Sequence, residues 1–359
     1  MWLFLEALDV WLFRDGRPFD ALSDHRARSL FPPLPTVTQG AVRSHYLALN
    51  VTGPLNDRAT IGSLVGSGSD VKELRLRGPF LARREGGRIV RYFPRPSDAV
   101  SVNGATNALK PASGPEPASS GVISSCPTPQ LLGLSDEQVK GGIGGWLAED
   151  DLRAYLRGNV VTAVTADSLF QFESRVGIAR NDATRVTEEG ALYEVEFVRP
   201  QADVGLLLEL QGYADWPSEG LLRIGGEGRA ARFQEVAPEP WPAPIERLPR
   251  RFKLFFATPA YFDGGWQPRG GAWSRFFEGD VNLVAAAVGR YESVGGYDLA
   301  EARHKPSRRY VPAGSVYYFE SHGQARVRPG LVQDAVTDSP TGHSYEAAIG
   351  FGQVLIEEW

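Results

Sequence analysis

Forty glycines and 26 prolines punctuate this chain of 359 residues, and they constrain its fold more than any other feature. Proline removes a backbone donor and glycine lets the chain turn, so long uninterrupted helices are disfavoured and short strands with irregular connections are expected. A length of 359 residues exceeds what one hydrophobic core usually serves, which predicts two domains. The expected class is α+β, with two domains built on split βαβ units and irregular insertions, divided near Gly212 into 1–212 and 213–359.

Local patterns fill in this outline. MWLFLEALDVWLF reads as a buried strand over residues 2–13, and FPPLPTVTQGAVRSHYLAL as a helix over about 37–49 with Thr36 as N-cap. RLRGPFLARREGGRIVRYFPRP reads as a hairpin turning at Glu85-Gly86-Gly87. Residues 97–129, rich in Ser, Ala, Pro and Gly, read as a long loop inserted in the first domain. WLAEDDLRAYLRG reads as a helix with Gly158 just past its end, and Asp150/Asp151 as its acidic start. TRVTEEGALYEVEFVRP reads as a second hairpin, 184–199, turning at Glu189-Gly190. Its alternation puts Tyr193, Val195 and Phe197 on an inward side and leaves the tip, Glu188 to Gly190, projecting. RFKLFFATPAYF, AAAVGRYESVGGYDL and GSVYYFE continue as strands, and GFGQVLIEEW closes as a glycine turn feeding a last strand.

Several function classes drop out. The single cysteine, Cys126, precludes an internal disulfide framework or a thiolate metal cluster and fits a reducing cytoplasm. Glu6 and Asp9 interrupt the apolar N-terminus, which reads as strand rather than signal peptide, and no run of about 18 apolar residues predicts a membrane span. No GxxxxGK[ST], HExxH, CxxC or GxSxG occurs, and no spacing supports a metal or a cofactor. Of the five histidines, His25 beside Arg26 and Arg28 is the best candidate for an acid or base in RNA cleavage, although a lone histidine is more often a surface or packing residue.

Charge is informative only locally. The formal net charge is −5, yet Arg75 to Arg95 holds seven arginines against one acid, Glu85. Arg303 to Arg309 holds four cations and no acid. Basic faces on an acidic molecule fit a binding groove. RRYVPAGSVYYFE sets Arg308 and Arg309 beside Tyr310, Tyr317, Tyr318 and Phe319, as a single-stranded RNA surface would; an ordinary strand pair with a solvated basic edge gives the same string. Tyr317 and Phe319 share one face of that strand and Tyr318 takes the other, so only part of the set could stack on bases. The turns Gly225-Gly226-Glu227-Gly228-Arg229 and Gly350-Phe351-Gly352 leave amide groups bare enough to approach a phosphate, or are plain glycine turns. ESRVGIARNDATRV spaces Arg175, Arg180 and Arg185 along an extended or looping segment, as an RNA contact or a solvated loop.

Nine strings, in order, carry a resemblance. They are FRDGRPF, FPPLPTVTQGAVR, GPFL with YFP, ESRVGIARN with EGALYEVEFVRP, GGEGR, ATPAYFDGGW, VGRYESVGGYDL, KPSRRYVPAGSVYYFE and GFGQVLI. Together they closely resemble the RAMP-superfamily subunit that binds the 5′ end of the guide RNA in the Cmr-type (type III-B) CRISPR effector. The match is nearly end to end, with 97–172 and 321–345 unmatched.

The resemblance implies two ferredoxin-like (RRM-like) domains and a non-catalytic role in antiviral defence. Such a subunit holds the repeat-derived 5′ tag, and its projecting hairpin bends the guide where the spacer begins. Its partners would be the guide RNA, a large polymerase/cyclase-type subunit and a backbone RAMP subunit, with target RNA met indirectly, no membrane and no cofactor. It carries over Arg175 and Arg180, the hairpin 184–199 and the glycine turns 225–228 and 350–352, and the full set of expected RNA contacts is Arg14, Arg17, Arg43, Arg175, Val176, Gly177, Ile178, Arg180, Arg185, Gly225, Gly226, Arg229, Arg290, Arg308, Arg309, Gly350, Phe351 and Gly352. The rival readings are a RAMP-type endoribonuclease that processes precursor guide RNA, and a scaffold whose arginines serve partner carboxylates.

Overall fold

The computed structural model describes residues 1–14, 26–52, 57–102, 104–112, 128–133, 144–180, 183–184, 186–243, 245–298, 303–341 and 344–359. The architecture is mixed α and β, with mostly strands and few helices. It gathers into two compact units. One comprises Met1–Val90, Ala166–Pro238 and Ser293–Arg309, the other Arg91–Thr165, Glu239–Glu292 and Tyr310–Trp359. These are not the expected segments 1–212 and 213–359. Pairing overrides chain order, because the strand at 230–236 pairs with the N-terminal strand and so belongs with it.

The first unit is built around β1 (Trp2–Ala7), whose Leu3, Phe4 and Leu5 are fully buried. After it come α1 (Pro35–Asn50) and α2 (Arg58–Val65), then β2 (Arg75–Glu85) and β3 (Arg88–Pro94). Proline occupies the first turn of α1, where its missing N–H costs nothing, so the helix starts before Thr36 and its N-cap is Leu34. Asp57 caps α2, accepting from the amides of Ala59 and Thr60 at 3.0 and 3.3 Å. The hairpin β2–β3 turns as expected at Gly86 and Gly87, both in the left-handed region.

In the second unit the chain continues through β4 (Trp146–Ala148) and α3 (Glu149–Leu156), which is shorter at its start than the expected helix. Back in the first unit follow β5 (Phe170–Arg180), β6 (Thr187–Pro200), β7 (Val204–Gln211), β8 (Glu219–Arg223) and β9 (Ala230–Val236). The main sheet runs β8-β9-β1-β7-β2-β3, and the second half of β3 pairs with β4. β7 lies between β1 and β2 and is antiparallel to both, so β1 and β2, joined through the helices, form a split βαβ unit. β5 and β6 pair with each other apart from that sheet, and the short strand Arg26–Ala27 joins β6 in parallel.

The second unit holds β10 (Arg251–Phe256), β11 (Phe277–Ala287), β12 (Val316–Val327), α4 (Tyr345–Ala348) and β13 (Val354–Glu358). Its sheet runs β11-β12-β10-β13, antiparallel throughout. Tyr317 and Phe319 point into a core with Phe252, Phe256, Trp273 and Phe277, while Tyr318 donates to Asp98 and to the carbonyl of Leu109. All three aromatics are fully buried. Part of this aromatic set was expected to be free to stack on bases; none of it is, because both faces of the strand are core.

Part of 97–129 is ordered pairing rather than loop. Ala99–Val102 pairs with Ala105–Ala108, and Lys110–Pro111 with Leu132–Gly133. Asp98, fully buried, accepts the hydroxyls of Tyr155 and Tyr318 and so anchors this segment to α3 and β12. Residues 113–127 lie outside the described residues.

Candidate nucleic-acid interface

The segments 173–180 and 187–200, read separately in the sequence, are the two arms of one hairpin, β5 and β6. The reversal lies between Arg180 and Thr187, not at Glu189-Gly190. Between the pairs Ile178↔Leu192 and Arg180↔Thr187 the register jumps, and Gly190 falls within that irregularity instead of forming the turn. Side chains of 179–180 and 187–191 lie outside the described residues, as do Arg17, His25 and Arg185.

Period-two alternation gives the hairpin two unlike faces. One carries Glu173, Arg175 and Gly177 opposite Phe197, Val195 and Tyr193. Val195 and Phe197 pack on Val10, Leu12 and Ala27, with Tyr193 partly buried against them, so the expected inward side is the inward side. Gly177 accommodates the Tyr193 ring, which lies where a Cβ would stand, at 2.3–2.6 Å. Its bareness serves that cross-strand contact rather than a ligand. The other face carries Phe172, Val176 and Ile178 with Leu192 across from Ile178, and these are 50, 68, 53 and 57% exposed. Val186 beyond them is exposed as well. Such a row of bare apolar groups on a strand pair is unusual for a solvated surface.

On the inward face, at the base of the hairpin, three arginines form an ion cluster. Glu173 accepts from Arg175 at 2.7 Å and from Arg199 at 2.6 Å. Asp9, in the turn after β1, lies 3.2 Å from Arg199, 3.4 Å from Arg229 and 3.6 Å from Arg175. The buried ring of Phe197 lies beneath two of the guanidiniums, 4.8 Å from Arg175 and 4.7 Å from Arg229. The hydrogen bonds from Arg199 and then Arg175 hold the Glu173 carboxyl below the usual carboxylate range, and Glu173 in turn holds both guanidiniums above theirs. Arg175 is thus an ion-paired residue whose half-exposed guanidinium still faces solvent. Arg199, Asp9 and Phe197 were not among the residues expected to form a site. Their only signal is the strand register that brings positions 9, 173, 197 and 229 together.

The remaining predicted residues scatter. Arg14 is exposed and forms a β-bridge with Ser29. Arg43 donates to the carbonyl of Gly66 at 2.6 Å, closing α1 onto the end of α2. The Gly225 turn packs on the chain: Gly226 donates to the carbonyl of Leu12 at 2.8 Å, and a Cβ on Gly225 would meet that oxygen at 2.5 Å. The Gly350 turn is likewise no phosphate cradle, since all three residues are buried and their amides donate to Ala347, Glu346 and Pro259. Close backbone approach is what both turns need glycine for, but the neighbour is the protein itself. Arg308 and Arg309, in the first unit, are exposed on the short strand Arg308–Tyr310, and Arg290 is exposed in the second unit.

The family model described as CRISPR-associated protein (Cas_Cmr3) matches residues 3–359. A chain in the cryo-EM structure of the Type III-B Cmr-beta bound to cognate target RNA superposes with a TM-score of 0.56 at 14% identity, covering 99% of this chain and 96% of that one. A chain of the same complex bound to cognate target RNA and AMPPnP, state 1, gives 0.54 at 14% identity with the same coverage. At this identity the likeness is one of fold. No curated protein matches the sequence.

Proposed function

Since this chain belongs to the Cas_Cmr3 family of CRISPR-associated proteins, we propose that it is a subunit of a type III-B Cmr ribonucleoprotein, binds the 5′ repeat-derived tag of the guide RNA and bends the guide at the start of the spacer. The observation that carries this reading is the β5–β6 hairpin, with arginines at its base and bare aliphatic side chains toward its tip. Phosphate is held by guanidinium forks, which position a nucleic acid without reading its sequence. Apolar side chains wedged between bases unstack them and redirect the strand. Val176, Ile178 and Leu192 offer such a wedge, and Arg175, Arg199 and Arg229 offer the grip.

The role is positioning rather than chemistry, with the large polymerase/cyclase-type subunit and a backbone RAMP subunit as neighbours, in the cytoplasm. The strand order of the second unit supports reading it as ferredoxin-like. Numbered along the chain its four strands lie 2-3-1-4, with two short helical turns in each crossover that links the first strand to the second and the third to the fourth. The split βαβ of the first unit supports the same ancestry.

The test is to replace Val176, Ile178 and Leu192 together by serine in the complex assembled with its guide. All three side chains are exposed, so folding and assembly are expected to persist. Nuclease protection at the tag–spacer junction is expected to blur or shift. An unchanged protection pattern in the assembled variant rejects the wedge.

A further inference from the structure

Three carboxylates meet the arginine cluster, and they meet it differently. Glu173 is two-thirds buried and uses one oxygen for each of Arg175 and Arg199 at 2.7 and 2.6 Å. With the ring of Phe197 beneath Arg175 and Arg229, it fixes where the guanidiniums stand. Asp9 is half exposed and makes only longer contacts, 3.2–3.6 Å, yet all three guanidiniums converge on it. Glu227, also exposed, lies a further 3.7 Å from Arg229. Three arginines around one solvent-facing oxyanion is the arrangement that binds a phosphodiester. Exposed ion pairs of this kind contribute little and are screened by salt, so the anion at the centre can be exchanged.

We propose that Arg175, Arg199 and Arg229 form a phosphodiester-binding site which the Asp9 carboxylate occupies in the RNA-free chain, so that guide RNA displaces Asp9 while Glu173 and Phe197 keep the guanidiniums in place. This rests on the reading that the β5–β6 hairpin contacts RNA. Asp9 is then a specificity-determining residue. It competes with any stray phosphate, and only RNA also held by other contacts displaces it. An otherwise acidic subunit with one cluster of unopposed arginines would instead bind RNA indiscriminately.

The probes are a mixed-sequence single-stranded RNA of about 16 nucleotides and an abasic phosphodiester oligomer of the same length, each titrated with the full-length chain across a salt series. Asp9→Asn is expected to tighten binding of both at least about threefold and to steepen log K against log salt by about 0.7, the increment for one further phosphate neutralised. Asp9→Glu, which keeps the charge, is expected to restore the parent affinity and slope, and Glu173→Gln to weaken binding. Unchanged or weaker binding by Asp9→Asn with an unchanged slope overturns the proposal. If Asp9→Asn does not fold, Asp9→Ser decides: tighter binding with a steeper slope upholds the proposal, and parent affinity with an unchanged slope overturns it. The double variant Arg175→Ala/Arg199→Ala separates the two levels. If it binds both probes like the parent, the RNA reading of this face fails. If it loses binding while Asp9→Asn gains none, only the displacement by RNA fails.

Discussion

Replacing Phe197 by leucine would test whether the guanidiniums are seated by the ring beneath them. Phe197 is 3% exposed, packed among Val10, Leu12, Ala27 and Val195, with guanidinium carbons 4.8 and 4.7 Å from its centroid. Leucine keeps most of the apolar volume and loses the π face. At partly exposed sites each cation–π contact contributes about 0.5–1 kcal/mol, and the change of shape in a packed cluster adds up to about 1 kcal/mol. The expected cost is therefore about 2 kcal/mol. Because two units do not guarantee one all-or-none transition, the effect is best read locally. Amide hydrogen exchange along β5 and β6 should accelerate about thirtyfold, the factor that 2 kcal/mol implies, with a parallel loss of RNA affinity. Phe197→Tyr, which keeps the ring, should stay near the parent in both. Exchange unchanged within about threefold in Phe197→Leu, or Phe197→Tyr as impaired as Phe197→Leu, would refute the reasoning.

Other outcomes follow from the same structure. Burial holds the Asp98 carboxyl above the usual carboxylate range, against the opposing hydrogen bonds of Tyr318 and Tyr155 and the charge of Lys253. A raised value means that its contribution to stability is present below the unfolded value of about 3.9 and lost as pH rises through the folded one. The melting temperature of the parent minus that of Asp98→Asn should therefore fall as pH is raised from about 4 toward neutrality, and a flat or rising difference would contradict the assignment. Gly352 sits at φ 70° and a Cβ there would stand 2.7 Å from the Thr337 Cβ and 2.8 Å from the Val336 carbonyl. Gly352→Ala should cost at least about 2 kcal/mol in thermal denaturation while leaving the RNA affinity of the folded fraction unchanged. Arg175→Ala should weaken tag-RNA binding about tenfold or more and Arg308→Ala no more than about fivefold, measured side by side; the reverse order would place the RNA on the Arg308 edge.

The sequence made the strand-rich composition, the β2–β3 turn and the inward side of β6 legible, because each depends on near neighbours: two glycines in a turn, or alternate apolar positions. The division into units was not legible. Whether 230–236 joins the N-terminal strand or the following segment depends on pairing across more than two hundred residues, which no local pattern encodes. Gly190 misled for a related reason. A glycine flanked by Glu189 and Ala191 looks like a turn, but here it falls within a register jump, and the true reversal lies between Arg180 and Thr187. Arg175 was visible as a candidate, and Arg229 too, and Glu173 lies near enough to Arg175 in sequence to be suspected as its partner, but Asp9 could not be assigned without the fold. The buried aromatics of β12 show the converse error. A strand preceded by arginines looks like an RNA surface until both of its faces prove to be covered.

The central claim is that the β5–β6 hairpin meets the guide where tag passes into spacer. The most direct test is a photo-crosslinking amino acid at Ile178, 53% exposed, in the complex assembled with its guide RNA. The account predicts crosslinks to the guide clustered at the tag–spacer junction. Crosslinks confined to neighbouring protein subunits, or to the interior of the spacer, would contradict it.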